Sequence, residues 1–175
     1  RAMISIVTLP LHSHGPADSN LSMPELTHKH LFTLTLSVDF AAMISIGKTP
    51  AGRRRIAPVK GGTFSGERLS GNALPGADWV INRPDGAMII DVRLTLQAQD
   101  GAMIYLTYQG RFLAAPEAME RFSKGALLDP SEYSLAVTAR LECGDERYAW
   151  LNDCVCVGTG TQTATGPIYE FFEIG

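Results

Sequence analysis

Apolar and polar residues alternate with a period of two along most of this chain, and few segments carry a helical period. Side chains of a strand point to opposite faces in turn. Alternation bounded by Gly, Pro, Asn or Asp therefore predicts strands joined by turns. HLFTLTLSVDF, from His30 to Phe40, reads as one strand. GKTPAG at 47–52 reads as a turn, and RRRIAPV at 53–59 as a short strand whose Pro58 suits an edge or a bulge. Trp79 to Asn82 is a short strand, RPDG at 83–86 a turn, and Ala87 to Gln99 the longest strand. SLAVTARLECG, RYAWLNDCVCVG and GPIYEFFEIG read as three more, with TGTQTATG a polar loop before the last.

Asp100-Gly101 joins the longest strand to AMIYLTYQG. A two-residue type I′ turn needs positive φ at both central positions, which Asp-Gly supplies. Counting outward pairs Gln99 with Ala102, Gln97 with Ile104, Thr95 with Leu106 and Arg93 with Tyr108. Asp91, Arg93, Thr95, Ile104, Leu106 and Tyr108 then share one face, and Val92, Leu94, Leu96, Met103, Tyr105 and Thr107 the other. One short helix is expected in APEAMERFSKG. Pro116 opens it, Glu117 follows in the first turn and Gly125 sits past its end.

The stretch from Lys60 to Trp79 holds five glycines. A phosphate loop needs Gly-Lys-Ser/Thr opening a helix, and a dinucleotide site needs G-x-G-x-x-G between strand and helix. Neither pattern is present, and LSGNALPG breaks any helix. Glycine within a strand run marks a bulge or a tight bend, which is the expectation for Gly66 and Gly71.

About eight or nine closely spaced strands with one short helix predict an all-β fold: a single antiparallel up-and-down β-barrel. A sandwich is the alternative. Residues 28–175 form the barrel domain, and residues 1–27 an N-terminal extension that could serve as a lid or arm. A barrel of about eight strands can hold one small ligand.

Composition narrows the partners. The chain has 175 residues, 45% of them hydrophobic, with a net charge of −3, which argues against nucleic-acid binding. Arg53-Arg54-Arg55 reads as a solvated strand edge. Cys143, Cys154 and Cys156 form no disulfide framework, so a reducing, cytoplasmic setting is expected. No apolar run approaches the roughly 20 residues of a membrane helix.

The blocks TPAGRRRIAPVKGGTFSG, LPGADW, RPDG, DVRLTL, DGAMIYL, RYAWLN and VGTG, in that order, resemble the domain of unknown function 3237 family of bacteria and fungi. The resemblance spans His30 to Glu173. It implies a barrel of the calycin or allene-oxide-cyclase sort, often dimeric. Ala136, Ala139 and Tyr108 stand where that family usually has Arg, Pro and Asn.

Candidate chemistry centres on Asp91 and Arg93, two apart on one strand face. On the outside they would be a weak surface pair. Inside the barrel, Arg93 could hold a carboxylate, enolate or phenolate oxygen, Asp91 could act as a base, and Tyr108 would sit opposite. Trp79, Tyr133, Trp150, Asn152 and Thr63 are the expected substrate-binding residues, with Tyr148, Trp150 and Asn152 on one face of RYAWLN. A cupin metal site needs a later carboxylate and a third His after a pair such as His28-Lys29-His30, and no His follows residue 30, while His12 and His14 lie further upstream, so no metal is expected. No G-x-S-x-G occurs. The expected function is a cofactor-independent isomerase, cyclase or lyase/dehydratase of secondary or catabolic metabolism. It would act on a carbonyl or aromatic small molecule, as a homodimer. The alternative is a non-catalytic carrier of an apolar or aromatic ligand.

Overall fold

The computed structural model describes residues 25–175. Of the N-terminal extension expected over residues 1–27 as a lid or arm, residues 1–24 lie outside the described residues. Eleven strands occupy eight positions of a closed antiparallel barrel. In chain order they are β1 (His28–Val38), β2 (Ile44–Thr49), β3 (Gly52–Ser65), β4 (Ser70–Ala73), β5 (Gly76–Asp78), β6 (Ile81–Asn82), β7 (Met88–Ala98), β8 (Met103–Ala114), β9 (Tyr133–Cys143), β10 (Val155–Gln162) and β11 (Pro167–Ile174). From β7 to β11 each strand pairs with the next, and β1 closes the cylinder by bonding to both β11 and β3. β4, β5 and β6 share one position between β3 and β7. β2 pairs β3 beyond the stretch of β3 that meets β1.

Glycines in the 60–79 stretch let neighbouring backbones close in. A Cβ on Gly62 would overlap the Thr35 carbonyl oxygen across the β1–β3 pair, and one on Gly66 the Leu31 carbonyl. The β1–β3 register also slips between Ser37 and Val38. This is the bulged corner where the sheet coils tightly enough to close.

α1 (Pro116–Ser123) forms where expected, with Pro in the first turn and Gly125 beyond the end at φ 90°. It leans on β8 by stacking Phe122 on Phe112, ring centroids 4.7 Å apart.

Two sequence expectations are corrected. The loop between β7 and β8 is Gln99-Asp100-Gly101, three residues rather than two, closed by the Ala98 N–H donating to the Ala102 carbonyl at 2.9 Å, with Gly101 at φ 88°. Arg93 therefore pairs Thr107, and Val92 pairs Tyr108. One residue of register turns every side chain of β8 to the other face. Second, RYAWLN is not a strand. Glu146–Asp153 is a 3-10 segment, opened by Asp145, whose side chain accepts the Arg147 N–H.

The core is split along the barrel axis. At one end Phe32, Phe64 and Phe171 pack with Leu96, Ile104, Leu106 and Leu141, and Leu151 of the 3-10 segment plugs the opening. At the other end the interior is a cavity.

Candidate functional site

The cavity has a volume of about 660 Å³, within the range of small-molecule sites. Its walls are apolar: Val59, Val80, Met88, Ile90, Val92 and Phe112. Phe40, Met43, Phe122 and Leu127 also border it. The polar groups are few. Arg55, Asp78, Tyr108, Tyr169 and Gln162 supply most of them. Gln162 is already engaged, accepting the Leu128 N–H at 3.1 Å and donating to the Ala126 carbonyl at 3.2 Å.

Asp78 reaches the interior through strand register. It lies opposite Ala57 on β3 and opposite Val92 on β7, and Val92 lies opposite Tyr108 on β8. Asp78 and Tyr108 thus flank Val92 on one inward rung. Tyr108 and Tyr169 lie against each other with ring centroids 5.0 Å apart, and Tyr108 meets Phe171 at 5.6 Å, which makes the aromatic floor. Gly160 makes this possible, since a Cβ there would press on Tyr169 and Leu135.

Asp78 accepts the Asp91 backbone N–H at 3.0 Å through Oδ1. No donor among the described residues meets its other oxygen. What remains of its surface faces the cavity. Burial pushes the carboxyl up to about 6, the Asp91 charge adds to the rise, and the Asp91 N–H and the Arg55 charge oppose it. Burial also raises both tyrosines, with Asp78 contributing to each, so the two phenols stay protonated across the ordinary pH range. Arg55 projects inward from β3, and its Nη2 donates to Asn82 Oδ1 at 2.7 Å. Burial, then the neighbouring Arg53, lowers its pKa.

The expected site residues divide. Tyr108 lines the cavity. Asp91 and Arg93 are on the outer face, an ion pair at 3.4 Å, with Gln109 bonded to Asp91 at 3.3 Å. Trp79 is also outside, beneath the Arg93 guanidinium at 5.0 Å. Thr63 is exposed on β3. Trp150 stacks under Arg68 at 3.3 Å at the plugged end. Asn152 bonds both backbone groups of Cys143, at 2.9 and 3.0 Å. Neither borders the cavity, because the 3-10 segment lies at the far end. Tyr133 backs the wall, stacked on Phe112 at 4.9 Å and accepting the Gln162 N–H at 2.9 Å. His28 and His30 flank Phe172 on the outer face, and His30 bonds Glu170 at 2.7 Å.

Sequence reasoning missed Asp78 and Arg55. The signal for the correct face was present. Ile90, Val92, Leu94 and Leu96 alternate with Asp91, Arg93 and Thr95, and polar-out alternation is the ordinary pattern of a half-wetted strand.

A closed antiparallel barrel with an apolar cavity and a few inward polar groups defines the class as a cavity-bearing β-barrel. Among such proteins, this chain belongs to the family described as protein of unknown function DUF3237, whose model matches residues 26–174. It is 30% identical to a UPF0311 protein of Rhodopseudomonas palustris over 152 residues, 86% of this chain and 98% of that one. A crystal structure of a beta-barrel like protein from Acinetobacter baumannii shares 33% identity and superposes with a TM-score of 0.77, over 89% of this chain and all of that one. An enzyme from Penicillium herquei shares the fold at a TM-score of 0.66 and 21% identity, over 88% of this chain and 98% of that one. No helix among the described residues is long and apolar enough to cross a membrane.

Proposed function

We propose that this barrel is a cofactor-independent enzyme that moves a proton on a carbonyl or aromatic small molecule, as in an isomerisation, cyclisation or elimination. The observation that carries the reading is Asp78, a carboxyl in an apolar cavity whose affinity for its proton is raised to about 6. A base or acid with that affinity can both take and return a proton near neutral pH. Arg55 and the Tyr108 hydroxyl stand where charge developing on a ligand oxygen can be met, in a cavity where such contacts are strong. The apolar walls exclude water and fix the ligand frame. That the Penicillium herquei protein of the same fold is an enzyme is in keeping with this reading. The second reading, a carrier, is favoured by the same apolar walls.

The test is hydrogen–deuterium exchange at the α-carbon of 2-tetralone in D₂O, followed by NMR. The wild type should accelerate exchange, and Asp78→Asn should lose about a hundredfold or more of that rate. Binding of the ketone without accelerated exchange would turn the assignment to a carrier, and equal acceleration by both proteins would remove Asp78 as the proton-transfer group.

A further inference from the structure

The cavity holds one cation that protein partners satisfy incompletely. Arg55 lies on the inward face of β3 with Ala57 and Val59. Its side chain makes one hydrogen bond among the described residues, Nη2 to Asn82 Oδ1 at 2.7 Å. Its Nε is buried and meets no acceptor there. No carboxylate of the described residues lies within ion-pair distance of it, although ten such pairs or contacts form elsewhere. A guanidinium taken partly out of water with donors unmet carries a standing cost, and an anionic oxygen is the group that offsets it.

Asp78 decides what charge that oxygen can carry. When Asp78 is neutral the cavity has a net positive charge from Arg55. When it is ionised the two charges cancel. The groups facing Asp78 are Arg55 from β3, Tyr108 from β8, Tyr169 from β11, and Asp91 of β7, whose N–H bonds it while its carboxylate points outward. Both phenols stay neutral, so Asp78 is the group inside the cavity that switches its charge near neutral pH.

We propose that the cavity selects apolar organic anions, aryl carboxylates or phenolates. The anionic oxygen meets Arg55, the hydrocarbon frame packs on Val59, Val80, Ile90 and Phe112, and the bound anion keeps Asp78 in its protonated form. The inference rests on the reading of this cavity as the functional site and adds its ligand class. It also gives Asp78 a direction. In the complex it begins protonated, and a proton passed from it to the ligand anion leaves Asp78 a carboxylate beside Arg55 and the ligand neutral.

Titration calorimetry on the whole chain tests this, with 2-naphthoate and its neutral counterpart 2-naphthamide as probes. Near pH 5 the wild type should bind naphthoate about tenfold or more tighter than naphthamide. Arg55→Met should abolish that preference, and a cooperative urea unfolding transition shows that the variant is folded. Wild-type affinity for naphthoate should fall by about tenfold from about pH 5 to about pH 8, with proton uptake on binding, and Asp78→Asn should flatten that dependence. Equal affinities for the two probes, failure of naphthoate to bind near pH 5, or a preference that survives Arg55→Met would overturn the proposal. None of these results touches the tetralone exchange rate, so the proton-transfer reading stands or falls separately.

Discussion

At the scale of single residues, the barrel depends on positions where a side chain cannot fit. Gly62 faces Leu36 across the β1–β3 pair, and a Cβ there would overlap the Thr35 carbonyl oxygen. The neighbour is hydrogen-bonded backbone, so it cannot move aside cheaply. Gly62→Ala should cost about 3 kcal/mol, at the upper end for overpacking. Gly144 is the control, because a Cβ there meets nothing within 4 Å and its backbone is not left-handed. Urea denaturation should separate the two alanine variants clearly. A Gly62→Ala protein as stable as Gly144→Ala would mean that the β1–β3 corner can relax.

At the scale of elements, the 3-10 segment Glu146–Asp153 behaves as a stopper rather than a wall. Leu151 is fully buried in the plugged end, and Asn152 ties the segment to the last residue of β9 by bonding the Cys143 N–H and carbonyl. Asn152→Ala would leave both backbone groups without those partners, at a cost of about 1–3 kcal/mol. The loss should appear in the urea midpoint, while binding in the cavity at the opposite end stays unchanged. Altered ligand affinity would show that the two ends are coupled. The β7–β8 hairpin teaches the companion lesson. Asp-Gly signals a turn in sequence, but whether the loop holds two residues or three is decided by how the flanking strands register with their other neighbours. Gln99 donates its N–H to Ser70 of β4, which draws it out of the β7–β8 ladder and into the loop.

At the scale of the whole molecule, Asp78 links the cavity to stability. Its folded affinity for protons is raised, so between about pH 4 and about pH 6 the native state holds a proton that the unfolded state has released. Stability from this group is therefore full at low pH and is lost as pH rises through that window. The loss is about 2–3 kcal/mol. Asp78→Asn keeps an acceptor for the Asp91 N–H without the buried charge. It should be more stable than the wild type near pH 8 by about that amount, and the difference should vanish towards pH 4. Unfolding free energies of the two proteins across that range check it, and a difference independent of pH would sink the idea. The sequence by itself determined the class of fold, the positions of most strands, the helix at Pro116 and the need for glycine at the tight corner. These follow from period-two alternation and from local backbone preferences, which neighbouring residues encode. The tertiary structure decided the register of β8 on β7, and so put Tyr108 inward beside Val92 rather than on the outer face with Asp91 and Arg93. It also turned RYAWLN into a plug and brought Asp78 and Arg55 into one cavity. Those outcomes depend on register between strands distant in sequence, where a shift of one residue exchanges inside for outside.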